Sequence, residues 1–241
     1  MIAVFKREFA AYFVTPLGYA FIGVYLLCSG AFFYMFTLTS GTASVGSVDV
    51  SVMFTLMFFV LMVTVPVLTM RLLSEEKKNK TDQLTLTAPL SLFGLVMGKF
   101  AAAFSIFLIS TAVMPIYGLI LARFSPEHFR WAVIWGNVLG LIMLGAVYVS
   151  VGLFVSSLTE NQMIAAIVSI LLNIAFLLSS VAAAYVKTGF VSYALTEISL
   201  LDRYTEFTVG IFRFSNMLFF ISLTAIFIFL TVRMLERKRW N

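Results

Sequence analysis

The densest group of ionisable side chains lies in MRLLSEEKKNKTDQLTLTAPLS, Met70 to Ser91, where Arg71, Glu75, Glu76, Lys77, Lys78, Lys80 and Asp82 interrupt two long apolar runs. Mixed charges at this spacing suit the orientation of a docking partner without a strong net field. The plainer reading is a solvated loop between spans. Elsewhere the side chains able to do chemistry stand alone. Cys28 is the single cysteine, so no disulfide forms within the chain. His128 is the single histidine, and a metal site needs several donors. GxxxxGK[ST], GxSxG and HExxH are all missing from the sequence, and the apolar runs hold no carboxylate pair. The chain is therefore expected to bind no metal or cofactor, to catalyse nothing by itself, and to take its energy from elsewhere.

These residues are carried by a membrane scaffold. Of 241 residues, 61% are hydrophobic and 11% charged, and the mean hydropathy is +1.04. A soluble domain carries about 25% charged residues. The net charge of +5 comes from basic residues flanking apolar runs, which reads as membrane orientation and not nucleic-acid binding. Runs of about 20 apolar residues cross the hydrocarbon as helices. Six qualify: Leu17–Phe36, Val52–Leu72, Leu95–Leu121, Trp131–Ser157, Met163–Tyr185 and Ser215–Leu235. The first exceeds the roughly 7–15 residues of a signal-peptide apolar region, so it is expected to stay as a span. The sequence thus predicts an all-α integral membrane protein with one transmembrane domain over residues 1–241.

The basic residues also suggest an orientation. With the N-terminus inside, Lys6, Arg7, Arg71, Lys77, Lys78, Lys80, Lys99, Arg233, Arg237, Lys238 and Arg239 fall inside. Arg123, Arg130, Lys187, Arg203 and Arg213 fall outside, which is eleven against five. The positive-inside rule then makes both termini and the loop at 73–93 cytoplasmic.

Two segments read as amphipathic helices that do not span. In residues 1–15, Ile2, Phe5, Phe9, Tyr12 and Phe13 form one stripe, with Lys6 at its edge and Arg7 and Glu8 outside it. Such a helix lies at the inner interface, and Thr15-Pro16 turns the chain into the first span. In the extracytoplasmic stretch 186–214, Leu200, Leu201, Tyr204, Phe207 and Ile211 alternate with Asp202, Arg203 and Glu206, which predicts a short helix on or in the outer leaflet. The span centres lack ionisable residues, which argues against proton coupling. Their mild polar groups suit helix–helix hydrogen bonds; Thr64 and Asn173 are kept as substrate-path candidates. Gly136 and Gly140 form a GxxxG suited to packing within the subunit, and Pro66 and Pro115 are expected to kink their spans.

RLLSEEKKNKTDQLTLTAPLSLFGLVMGKF resembles the signature loop of permease subunits in the type-2 branch of ABC exporters. Their usual pattern is an EEK/R cluster, Gly-Thr, a Leu-rich stretch, Thr-x-Pro-x-Ser and then Gly-Lys. Glu75, Glu76, Lys77, Thr81, Leu84, Leu86, Thr87, Pro89, Ser91, Gly98 and Lys99 match in order. The sequence departs at Lys80, where Gly is usual, and at Asp82 and Gln83, where an apolar residue and Glu are usual. KREFAAYFVTPLGYAFIGVYLLCSG resembles the N-terminal elbow and first span of the gliding-motility type of these permeases. SSLTENQMIAA resembles their second cytoplasmic loop, and LFFISLTAIFIFLTVRMLERKRW their last span and basic tail.

The resemblance implies a multi-pass protein of the cytoplasmic (inner) membrane. It implies partnership with separate cytoplasmic ABC ATPase subunits, which hold ATP and Mg, and with a second permease chain. The first loop would be a coupling helix on the ATPase, started by Asn79 or Thr81 and ended by Pro89. Thr159, Glu160, Asn161 and Gln162 would make a smaller contact. A substrate, amphipathic or hydrophobic, would move outward across or between leaflets. Two alternatives stand beside this: an intramembrane lipid-modifying enzyme, which needs a clustered acid, base or metal set, and a non-transporting scaffold of an ABC-like complex.

Overall fold

In a computed structural model the chain is described over residues 1–38, 50–81, 91–124, 131–185 and 197–240. Helices account for the regular structure there. α1 (Ile2–Val14) precedes α2 (Pro16–Phe32), which runs on into a π-helical turn at Phe33–Leu38. α3 (Ser51–Thr69) continues past a break at Met70 as α4 (Arg71–Lys78). α5 (Leu92–Thr111) and α6 (Met114–Phe124) form the third span, broken just before Pro115. α7 (Trp131–Leu158), α8 (Gln162–Tyr185), the short α9 (Leu200–Thr208) and α10 (Phe214–Trp240) complete the order.

Six helical stretches among the described residues are long and apolar enough to cross a membrane: Pro16–Thr37, Ser51–Lys78, Leu92–Arg123, Trp131–Leu158, Gln162–Ala182 and Phe214–Lys238. Each contains or overlaps one of the six runs read from the sequence, and the protein is a multi-pass membrane protein. A bilayer interior offers no water to bond the backbone, so spans must close their own N–H and C=O groups, and helices do so.

α7 is the central pillar. In its most apolar stretch 72% of residues are buried, against 22% for α10. It packs against α3, α5, α8, α9 and α10. Its glycines let neighbours close in. A Cβ at Gly140 would lie 2.8 Å from Phe207 Cβ, and one at Gly136 would lie 3.1 Å from the Phe212 ring, so the GxxxG is a seat within this subunit for α9 and the turn after it. At Gly145 a Cβ would overlap the Phe107 ring of α5.

α9 dips into the bundle. Leu200, Tyr204 and Phe207 are fully buried, whereas Ile211 lies past the end of the helix and is exposed. The Ser199 hydroxyl caps its start by accepting from the Asp202 N–H at 3.1 Å. Its last carbonyl, Thr208, accepts from Ser51 Oγ at 3.1 Å and Asn137 Nδ2 at 3.2 Å. The Tyr204 hydroxyl donates to the Phe54 carbonyl at 2.9 Å. The amphipathic pattern of this segment therefore meets protein, not only lipid.

Gly145→Ala is expected to destabilise by about 1–3 kcal/mol, the usual range for overpacking a filled core. Thermal unfolding in detergent reads this as a lowered midpoint. Adding Phe107→Leu, which removes the ring that the new methyl meets, should recover part of the loss.

Candidate functional site

The charged island is built on α4, the continuation of the second span. The break at Met70 is bridged from α7. Ser156 Oγ accepts from the N–H groups of Leu73 and Ser74, both at 3.0 Å, and donates to the Met70 carbonyl at 3.0 Å. One hydroxyl thus occupies two donors and an acceptor exposed by the interruption, groups that are costly to bury unpaired. Leu72, Leu73 and Ser74 face inward, while Glu75 and Lys78 face out. Lys77 Nζ donates to the Ser157 carbonyl, tying α4 to the end of α7 where the second loop begins.

Glu76 turns inward to a four-charge cluster. Its Oε1 lies 2.9 Å from Lys99 Nζ and 2.6 Å from Arg7 Nη2. Glu8 Oε1 lies 3.0 Å from the same lysine and 2.7 Å from the same arginine. Lys99 also donates to the Leu72 carbonyl at 2.6 Å and is fully buried. Of the ammonium's three donors one goes to Glu8 and one to the Leu72 carbonyl, and Glu76 adds an ion pair. Two cations and two carboxylates leave the cluster neutral, the condition under which charge is held away from water. Burial pushes the Glu8 carboxyl up, but Lys99 and then Arg7 more than offset it, holding the group below its ordinary value.

The cluster joins three elements: α1 through Arg7 and Glu8, α4 through Glu76, and α5 through Lys99. Further bonds fix α1 in place. The Tyr12 hydroxyl donates to the Leu68 carbonyl at 3.0 Å, and Arg71 donates to Thr15 Oγ1 at 2.8 Å while lying 4.9 Å from the centre of the Tyr12 ring. Gly98 is where α1 crosses α5. A Cβ there would stand 3.1 Å from both the Met1 carbonyl and Val4 Cβ. The inward face of α1 is therefore Val4, Glu8 and Tyr12, with Phe5, Phe9 and Phe13 beside it and Ile2 exposed. Sequence reading put Glu8 outside the apolar stripe. The available signal was its spacing of four residues from both Val4 and Tyr12, one side of a helix.

Past α4 the chain ends its helix with a left-handed residue. Lys80 has φ +55, its N–H bonds the Lys77 carbonyl at 3.1 Å, and the Thr81 N–H bonds the Glu76 carbonyl at 3.0 Å. This is a Schellman ending, whose left-handed position favours glycine. Asn79 and Thr81 thus belong to the close of α4 in the described structure. Leu84, Leu86, Thr87 and Pro89 lie outside the described residues. Ser91 caps α5, its hydroxyl accepting from the Gly94 N–H at 3.2 Å. In the second loop Asn161 Oδ1 accepts from the Met163 N–H at 2.9 Å, and Thr159 Oγ1 from the Asn161 N–H at 3.2 Å. Glu160 and Asn161 are exposed, and Gln162 opens α8.

Thr64 and Asn173 lie apart from the charged cluster. Pro66 has no N–H, so the Met62 carbonyl loses its helical partner. Asn173 Nδ2 lies 3.3 Å from that carbonyl and bridges the gap from α8. Thr64 borders an apolar cleft of about 430 Å³ between α2 and α3, but its hydroxyl donates to the Val60 carbonyl at 2.9 Å. Among the described residues no group of three or more His, Cys, Asp or Glu is placed to hold a metal ion. No family model matches this chain, and no curated protein matches it either.

Lys99→Met is expected to destabilise the fold by about 3–5 kcal/mol, because Glu8 and Glu76 would remain in place without their buried cation. Thermal unfolding in detergent at neutral pH measures it. Since the folded-state value of Glu8 is depressed, its contribution is fully present above its ordinary value near 4.5 and is lost as pH falls through the lower folded value. Glu8→Gln should start less stable at pH 7 and lose less on further acidification than wild type. An unchanged acid slope in Glu8→Gln would remove Glu8 as its source.

Proposed function

We propose that this chain is the transmembrane permease subunit of an ATP-driven exporter of the type-2 ABC kind, powered by a separate ATPase. It resides in the cytoplasmic membrane with both termini in the cytoplasm and works beside a second permease chain. The observation that carries the reading is the 2.9 Å pair between Glu76 and Lys99. These residues belong to the two ends of the motif behind the resemblance. The pair closes the base of the loop between them, giving a coupling segment a stiff mount on two spans at once.

Other motif positions acquire physical reasons that agree with this reading. Gly98 admits the crossing of α1, and Ser91 caps the returning span. Lys80 holds the left-handed conformation at the position where the family pattern has glycine. Lys77 links the first loop to the start of the second, so a push on either reaches α4 and α7 together. Force from an ATPase on residues 82–90 would pass through α4 into α3, and through the ion cluster into α1 and α5. The substrate would be amphipathic or hydrophobic, in keeping with apolar surfaces such as the cleft beside Thr64.

The test sets two substitutions side by side in the complex with its ATPase. Leu84→Asp would put an unpaired charge into the docking contact, for a loss on the order of a few kcal/mol and weakened ATPase capture and turnover. Lys78→Ala, at an exposed position, should change binding by about 0–1 kcal/mol. Both variants should still insert, since Leu84 lies outside the six spanning stretches and Lys78 is the exposed last residue of one. If Leu84→Asp binds and couples like wild type, the loop is a solvated connection and the exporter reading fails. ATPase binding with no response of turnover to any transported compound would favour the scaffold.

A further inference from the structure

Between α5 and α10 runs a groove of about 500 Å³, floored by Met143 and Ala146 of α7. Its walls include Phe100, Phe104, Phe220 and Phe229. The single polar side chain in its lining is Thr224, whose hydroxyl donates to the Phe220 carbonyl at 2.8 Å. The groove therefore offers a ligand no free side-chain hydrogen-bond donor along its length. Along α10 it extends from Phe220 to Val232, roughly 18 Å at 1.5 Å per residue. One leaflet of a bilayer is about 15 Å of hydrocarbon. The groove is thus as long as one acyl chain of one leaflet, and apolar but for Thr224.

Its end carries charge. Arg233 follows directly after Val232 and lies 5.0 Å from the centre of the Phe229 ring, a groove wall. It is largely exposed and pairs with Glu236 at 2.7 Å through one nitrogen, Nη1, of a guanidinium that carries five N–H donors. Over Arg233 to Arg239 the sequence supplies Arg233, Arg237, Lys238 and Arg239 against the single carboxylate of Glu236. A cluster of this kind beside a span attracts anionic lipid headgroups.

We propose that this groove is a binding site for one anionic glycerophospholipid, with an acyl chain along the Phe100–Phe229 walls and its phosphate on the Arg233–Arg237 rim. The site does not depend on the exporter reading. It requires only that α5, α7 and α10 stand in a membrane. A lipid here would fill the gap between the third and last spans, which meet each other less closely than each meets α7.

The test uses brominated-acyl lipids as contact quenchers in vesicles. A tryptophan replaces Phe229 in the groove, and, in a second variant, Ile226, which is exposed on the same helix; Trp131, Trp135 and Trp240 are replaced by Phe in both. Brominated phosphatidylglycerol diluted into phosphatidylcholine should quench the Phe229→Trp reporter at several-fold lower mole fraction than the Ile226→Trp reporter. Brominated phosphatidylcholine diluted into unlabelled phosphatidylcholine should quench the two alike. Arg233→Gln with Arg237→Gln should abolish the preference at Phe229→Trp. Native mass spectrometry of the unaltered chain should retain phosphatidylglycerol over phosphatidylcholine, and lose that retention in the double Gln variant. Equal quenching of both reporters by phosphatidylglycerol, or a preference that survives loss of both arginines, would overturn the site and leave only general lipid contact.

Discussion

The constraint on which this architecture rests is that a polar backbone group inside hydrocarbon must find its partner within the protein. Straight helix meets the demand automatically. Three departures from straight helix are met by named side chains. Pro66 frees the Met62 carbonyl, and Asn173 reaches it from α8. The break at Met70 is bridged by Ser156 of α7. The end of α9, dipped among the spans, is completed by Ser51 and Asn137. The mild polar groups of the spans suit helix–helix hydrogen bonds in a sequence, and here part of their hydrogen-bonding capacity goes to the backbone.

The repaired break at Met70 changes what the charged island is. α4 is the end of a span, held against α7 by Ser156 and by the Lys77–Ser157 contact. Lys99 adds the second hold, through acceptors on α1, on Glu76 and on the Leu72 carbonyl. A buried ammonium is tolerable only while all of its acceptors stay in place, so α1, α4 and α5 are coupled in position more tightly than apolar packing alone would make them. Apolar faces slide at small cost; a buried ammonium held by two carboxylates and a carbonyl does not. The base of the loop between α4 and α5 is therefore tied to both spans and to α1.

What was legible in the sequence follows from how each signal arises. Six apolar runs of spanning length determined six spans, because membrane insertion depends on composition along a single segment. The dipping helix before the last span was legible from its amphipathic pattern, although its burying partners were not. The charged island and its flanking Gly98-Lys99 were equally plain, since motif spacing is local.

Only the tertiary structure decided which charges are buried and what each polar residue serves. Arg7 and Glu8 read as lying outside the apolar stripe of an interfacial helix, yet they meet Glu76 and Lys99 from far along the chain. Nothing within residues 1–15 records that a lysine on the third span stands opposite. Asn173 reads as a substrate-path candidate, and its bond to the Met62 carbonyl is not visible in the sequence because that acceptor is freed by a proline on another helix. Lys80 read as a departure from a glycine pattern, and its φ reveals that the backbone keeps the glycine conformation regardless. Segment composition sets insertion into the bilayer, so sequence determined the spans. Charge pairing and backbone repair depend on contacts between helices distant in sequence, so they were decided only when the helices packed.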